Sequence, residues 1–539
     1  MRFFKERCPF RKNPVTSIVI LFIAVFYFFT DTSQHNYLKT DPEKERGVIH
    51  WDVISYYAYL PATFIYRDVT LEFLKDPPEG FVNDKKFWPS RLENGNYLIL
   101  TSMGLSFMYA PFFFMAHALA PLFGEARDGF GAIYQFFLVM GTLVYVIIGF
   151  IVLKNLLLRY FKPWITALTL LGIALGTNLY HFSTTDAAMS HAYSFVLIVL
   201  FLKMTIDWHD RPTVLRTILT GALFGLITLI RPTNILVLLL LLLWDVKSWR
   251  ELKDRILFFI RKFHLVLLMF AAFIIIWIPQ FLYWKAITGH YLYYTYSTVD
   301  GAFYWGNPHI IENLFSYKKG WFVYVPIMFL AVVGIASLRN RKPAFFWPVL
   351  TMLVPMVYVF SSWWSWWFGG CFGLRAYIDI YGVMAIPLAT TIEYVAERKI
   401  KWVRIAYPAL IVAMILFHLL NNYQYRKNII HYVGMNKEVY WKSFFRFKQP
   451  KGYWQSLTIP DYYLARRSMY FFYDTGYDNS ALKAMGKEEG LREVRSMIME
   501  NRKLHKEVKN YAGRTGKSNE EAMQEVTERI YENLIDPSF

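Results

Sequence analysis

Runs of about 20 apolar residues, each long enough to cross ~30 Å of hydrocarbon, recur along this chain of 539 residues and fade only near residue 420. That feature excludes a soluble multidomain enzyme, which at this length would hold three or four domains of roughly 150 residues. The composition agrees: 55% of residues are hydrophobic, 19% are aromatic and the mean hydropathy is +0.26. Fibrous and disordered classes fall away on the same ground. A net charge of +18 would suggest a nucleic-acid partner in a soluble protein, but in a membrane protein it first reports topology. The two cysteines, Cys8 and Cys371, are too few for a disulfide framework.

The first run, Pro14 to Thr30, follows Arg2, Lys5, Arg7, Arg11 and Lys12, which places the amino terminus in the cytoplasm. No small-residue cleavage site follows Phe28 and Phe29, so the run reads as an uncleaved helix rather than a signal peptide. The polar stretch from Asp31 to about Asn96 then lies outside. Were the next apolar run, Met103 to Phe123, a full crossing, every later basic loop would face outward, including Lys247 to Lys262 and Arg398/Lys399/Lys401/Arg404. Read as a helix grazing the outer interface, as its two prolines and its aromatics allow, it leaves those loops cytoplasmic.

The crossings are then Pro14 to Thr30, Gly131 to Leu153, Trp164 to Tyr180, Ala187 to Leu202, Thr213 to Ile230, Pro232 to Trp244, His264 to Trp284, Trp321 to Leu338, Ala344 to Ser362, Tyr377 to Ala396 and Val403 to Leu420. The expected fold is therefore an all-α polytopic membrane protein of about eleven transmembrane helices. The fifth and sixth, on either side of Arg231-Pro232, are short for a crossing. Residues 1–420 form the transmembrane part, in which 31–130 is a large first exterior loop with membrane-grazing helices. Residues 421–539 form an exterior, mainly helical tail, with helices expected at Glu488 to Tyr511 and Asn519 to Leu534. Ser518, Ala522, Val526 and Ile530 show the polar start and spacing of an amphipathic helix.

The first loop carries His50-Trp51-Asp52-Val53-Ile54-Ser55-Tyr56-Tyr57. A carboxylate held among aromatics near low dielectric can act as a general base, and Asp52 is the candidate. Asp68, Asp76, Glu79 and Asp84 compete for that role, and an acid in a long loop is more often a solvated charge. No P-loop, Cys-x-x-Cys or Gly-x-Ser-x-Gly occurs. Chemistry outside the cell has no nucleotide sugars to draw on, which favours a donor carried by the membrane itself.

The first-loop acid, the aromatics and grazing helix after it, and the span ending in basic residues together resemble the GT-C class of membrane glycosyltransferases, in particular bacterial relatives of the protein mannosyltransferases and aminoarabinose transferases. Trp363-Trp364-Ser365-Trp366-Trp367-Phe368-Gly369-Gly370-Cys371-Phe372-Gly373-Leu374-Arg375 is similar to their W-x-G-G-x-x-x-G-x-R segment, with one residue fewer between the glycine pair and the third glycine. Ser190-His191-Ala192-Tyr193 and Lys318 to Trp321 also resemble segments of those relatives.

The resemblance implies a GT-C-like bundle with Asp52 as the base, although many members carry two adjacent acids where this chain has one. It also implies a polyprenyl-phosphate sugar donor. Such a donor leaves as an anionic lipid phosphate and needs cations, for which Arg231 and Arg375 fit best, followed by Lys318, Lys319 and Lys85. Tyr56, His191 and the tryptophans Trp363, Trp364, Trp366 and Trp367 are expected in the substrate cleft, the tryptophans either as a stacking surface or as an interface belt. No cofactor is assigned. The spacing of His181, Asp186 and His191 leaves a divalent metal open, but no metal ligand is assigned.

The reading is an inverting transferase in the inner membrane, acting on an acceptor of unspecified kind at the exterior face, with membrane lipid as its surroundings and no nucleic-acid partner. A transporter or flippase of a lipid-linked saccharide, and a non-catalytic scaffold with the same fold, are the alternatives.

Overall fold

The computed structural model describes residues 13–34, 47–77, 81, 87–299, 301–467, 482 and 485–535. Of the described residues, 71% are helical. Its one sheet among the described residues is a two-residue antiparallel ladder, Ser90–Arg91 against Tyr97–Leu98. The chain forms two compact units.

The first unit is Met1–Thr298, Ile327–Met356 and Tyr377–Ile415. It opens with α1 (Pro14–Gln34), the short α2 (Asp52–Tyr57) and α3 (Tyr59–Phe64), then α4 (Gly104–Leu119) and α5 (Ala132–Leu157). Next come α6 (Pro163–Leu175), α7 (Leu179–Thr184), α8 (Ser190–Asp210), α9 (Val214–Ile230), α10 (Leu238–Leu242), α11 (Trp249–Arg261) and α12 (Phe263–Thr288). The second unit is Val299–Pro326, Val357–Ala376 and Leu416–Phe539. It holds α13 (Ile310–Phe315) and α14 (Trp321–Tyr324). The chain re-enters the first unit with α15 (Ile327–Arg341), α16 (Pro343–Ser362), α17 (Tyr381–Ala396) and α18 (Lys401–Arg426). Of these, α16 and α18 end in the second unit, which closes with α19 (Lys437–Ser443), α20 (Tyr462–Ala465), α21 (Lys487–Glu500), α22 (Arg502–Thr515) and α23 (Asn519–Ile535).

Eight helical stretches among the described residues are long and apolar enough to cross a bilayer. Seven coincide with expected crossings, and the eighth is Gly104–Phe123, the run expected to graze the interface. By length and composition that run qualifies as a span. The expected third, fifth, sixth and eighth crossings are all helical but short. α9 ends where Pro232 removes a backbone donor and holds Arg231 extended (φ −145°, ψ 104°). At 1.5 Å per residue its 17 residues reach only about 25 Å.

Glycines decide two of the closest helix pairings. A Cβ on Gly221 would lie 2.1 Å from Met269 O, and one on Gly225 2.9 Å from Phe273 O, so α9 and α12 touch backbone to backbone. A Cβ on Gly334 would lie 2.3 Å from Pro387 O, which brings α15 equally close to α17.

In the second unit, α21, α22 and α23 bury Val494, Ile498, Val508, Val526 and Ile530 in one core. Ser518 and Glu521 exchange bonds at the start of α23: Ser518 N–H donates to Glu521 Oε2 at 2.8 Å and Glu521 N–H to Ser518 Oγ at 3.2 Å, a capping box. The expected single helix Glu488 to Tyr511 is two helices. Asn501 is extended, and its side chain accepts the Leu504 N–H at 3.1 Å, starting a new helix instead of continuing the old one.

Candidate functional site

The site in the first unit is built around the break at Arg231. The ionisable side chains at that break lie among apolar helices, where a charge needs a partner. Asp379, fully buried just before α17, supplies it. Arg231 Nε lies 3.1 Å from Asp379 Oδ2 at ion-pair rather than hydrogen-bond geometry. Asn234, one turn after Arg231, donates Nδ2–H to the same oxygen at 2.8 Å. His191, in the first turn of α8, is 2.9 Å from Asp379 Oδ1 through Nδ1, and its Nε2 is 3.3 Å from Arg231 Nη1.

These partners assign the tautomer. Arg231 can only donate, so His191 Nε2 accepts and Nδ1–H donates to Asp379. Asp379 thereby holds the guanidinium and the imidazole in one closed arrangement. The Arg231 side chain is 14% exposed, against 0% for Asp379 and 1% for His191. It is the member of the cluster that reaches the surface of the unit.

The amino-terminal end of α4 ties this break to the helix bearing Asp52. Ser102 Oγ donates to Leu229 O at 2.5 Å, two residues before Arg231, and the Met103 N–H is bound by Gln280 Oε1 at 2.8 Å. A Cβ on Gly104 would lie 2.5 Å from Ile230 N. One turn later Ser106 Oγ donates to the carbonyl of Tyr56 in α2. Tyr109 donates to the carbonyl of Ala188, in the turn leading to His191. Ala188 itself sits at φ +70°, with its N–H on Thr142 Oγ1 at 3.0 Å. One helix end thus anchors α2, the Arg231 break and the approach to His191.

Asp52 is the first residue of α2 and is half-buried. The preceding Trp51 is held at φ +52°, a strained angle for a large side chain, with its ring edge-on to Trp88 at 5.3 Å. Tyr56 is buried at 8% exposure. The competing acids differ. Asp68 is consumed by its own loop, accepting from Thr70 N–H at 2.9 Å and Phe73 N–H at 3.0 Å. Burial alone would raise its pKa, but these bonds and the Thr70 hydroxyl outweigh it and hold the carboxyl below the usual range. Asp76 is exposed. Glu79, Asp84 and Lys85 lie outside the described residues. His181 pairs with Asp186 at 3.1 Å. Among the described residues no group of three His, Cys, Asp or Glu side chains could hold a metal.

In the second unit the tryptophan–glycine segment is a series of tight turns, with Phe368, Gly369 and Gly373 at φ +57°, +73° and +60°. A Cβ on Gly370 would lie 2.8 Å from the Tyr432 ring, and one on Gly369 3.8 Å from Arg375 Nη2, so the half-buried guanidinium folds back toward bare backbone.

The other expected residues of this unit lie in packed surroundings. Trp366 and Trp367, expected in the substrate cleft, are fully buried in the core with α21 to α23. Trp364 packs against that core beneath Arg466, and the Trp363 ring lies tilted against Phe303 at 4.7 Å. Lys318 and Lys319 are each 1% exposed. Lys318 Nζ donates to the carbonyls of Val433 at 2.9 Å and Thr458 at 3.0 Å, and Lys319 Nζ to those of Tyr432 and Cys371. Two donors of each ammonium are thus held by main-chain oxygens. Beside them His431 Nδ1 accepts from Gly434 N–H at 2.8 Å, which requires a neutral ring. Burial, then the charges of Lys319 and Lys318, push its pKa down to about 4.

The helices and their apolar faces define a multi-pass membrane protein. No family model matches the sequence, and no curated protein matches it either. Several solved structures resemble it. One is the archaeal oligosaccharyltransferase AglB from Archaeoglobus fulgidus, in complex with an inhibitory peptide and a dolichol-phosphate, at 12% identity and a TM-score of 0.44 over 76% of this chain. Another is ArnT from Cupriavidus metallidurans in the apo state, at 14% identity and a TM-score of 0.40 over the same share. The chain spans 56% of the length of AglB and 73% of ArnT. At these levels of likeness the function rests on the chain's own residues.

Proposed function

We propose that this protein is an inverting glycosyltransferase that moves one sugar from a polyprenyl-phosphate donor to an acceptor at the exterior face of the inner membrane. In this reading the amino terminus is cytoplasmic and the tail exterior. Asp52 takes the proton of the acceptor hydroxyl or amine as its heteroatom bonds to the anomeric carbon. The bond from that carbon to the phosphate oxygen breaks, and the lipid phosphate departs with its charge on Arg231. Arg375 is a second candidate for that charge.

One observation carries the reading: a single helix end, Ser102 to Ser106, fixes both the helix that begins with Asp52 and the break that presents Arg231. Arg231 is oriented in advance by Asp379 and His191, so its remaining donors need no reorganisation when charge develops.

The test is transfer by the purified protein in liposomes, with labelled polyprenyl-phosphate sugars and release of the lipid phosphate as readout. Asp52→Asn should lower transfer at least ~100-fold, the usual worth of a general base, while expression and gel-filtration profile stay unchanged. Retained transfer removes Asp52 as the base. Labelled donor crossing the bilayer without turnover would favour the flippase reading.

A further inference from the structure

We propose that the cleft where α6, α17 and α18 meet binds the phosphate-bearing headgroup of an anionic membrane lipid. The cleft has a volume of about 490 Å³ and lies within the first unit. Lys162, at the start of α6, and Lys401 and Arg404, in the first turn of α18, line it together with Glu393 and Glu397 at the end of α17.

The two carboxylates are answered by other cations. Arg341 Nη1 is 2.7 Å from Glu397, and Lys342 Nζ is 3.3 Å from Glu393. Lys162, Lys401 and Arg404 are exposed and make no side-chain hydrogen bond or ion pair among the described residues. Five cations against two carboxylates leave an excess of three positive charges around one cavity. The amino-terminal end of α6 adds partial positive charge to them. A concave site with that excess concentrates anions.

The rim decides which anion. Trp164 and Ile405 line the cleft at 43% and 73% exposure, and Trp402 beside it is 71% exposed. Tryptophans at the first residues of apolar helices mark the depth of lipid headgroups. A free phosphate would use the cations and leave this apolar rim unused, whereas a phospholipid uses both. The cleft is distinct from the Arg231 cluster. Asp379 precedes α17 and Ala396 ends it, so the two sites are separated by about 25 Å along that helix.

The experiment uses the full chain in phosphatidylcholine nanodiscs containing spin-labelled phosphatidylglycerol, with the motionally restricted fraction as readout. Each cation near the anionic headgroup is worth about fivefold in affinity. Lys401→Gln and Arg404→Gln should each weaken retention by about that factor, and the triple variant with Lys162→Gln by about a hundredfold. A control triple at exposed Lys427, Lys448 and Lys451 should leave it unchanged. Equal losses in both triples would reduce the effect to overall charge and overturn the proposal, as would wild-type retention in the cleft triple. Displacement of the label by inorganic phosphate alone would overturn the assignment to lipid, and displacement only by unlabelled phosphatidylglycerol supports it. The single variants give the answer if the triple fails to fold.

Discussion

Asp379 joins Arg231 and His191, which lie far from it in the chain, into one buried cluster. Arg231 was legible because an arginine before a proline, between two short apolar runs, has few places to go. Its partner was not, because Asp379 meets Asn234 across 145 residues and His191 across 188, and no local spacing records such a pairing. The one available signal was that an acid at the head of an apolar span also needs a partner. The surroundings of the lysine pair and of the tryptophans were hidden for the same reason. A Lys-Lys pair reads alike whether its ammonium groups face a phosphate or main-chain carbonyls, as at Lys318 and Lys319. Trp366 and Trp367 read alike as a stacking surface or as core. The arrangement around Asp379 makes a prediction at this scale. Asp379→Ala leaves the mostly buried Arg231 without its counter-charge and should cost ~3 kcal/mol of stability. Asp379→Asn, which keeps the shape, should fold better yet bind donor more weakly, seen as a raised KM for the lipid-linked sugar. An unchanged KM would show that Arg231 does not need Asp379 to meet the donor.

At the scale of elements, the existence of the helices was written plainly in the apolar runs, and their contacts were written in small residues that carry little signal on their own. Gly221 and Gly225 are four apart in α9 and open one face of it to the backbone of α12. That pairing holds Gln280, which binds the Met103 N–H and so seats the start of α4. Gly221→Leu should force α9 and α12 apart. The expected outcome is a protein that inserts but unfolds at lower temperature and loses transfer, although residue 221 lies more than two turns from Arg231. Thermal unfolding in detergent alongside the liposome assay measures both, and a variant with full activity would separate the α9–α12 contact from the site. The break at Asn501 was less legible than the capping box at Ser518. The latter has a paired signature in Ser518 and Glu521, whereas a lone asparagine inside a helical pattern has none.

For the whole molecule, the proposed orientation rests on the distribution of its basic residues and on Gly104–Phe123 not crossing the bilayer. A cysteine introduced at Lys253 in α11 should resist a membrane-impermeant maleimide added to intact cells, whereas one at Lys451 should react; the reverse pattern would invert the orientation. What the linear chain concealed was the allotment of 299–326 and 357–376 to the same unit as the tail, since compactness is a property of three dimensions. The seat of α4 has a last consequence, which concerns time. Met103 finds its partner 177 residues further along the chain, and at about 5–20 residues per second a ribosome needs roughly 9–35 s to make that stretch. Through that interval the helix bearing Asp52 has already been made while the element that anchors it waits for Gln280, so the candidate site is assembled late in the synthesis of the first unit and any pause before residue 280 prolongs its unfinished state.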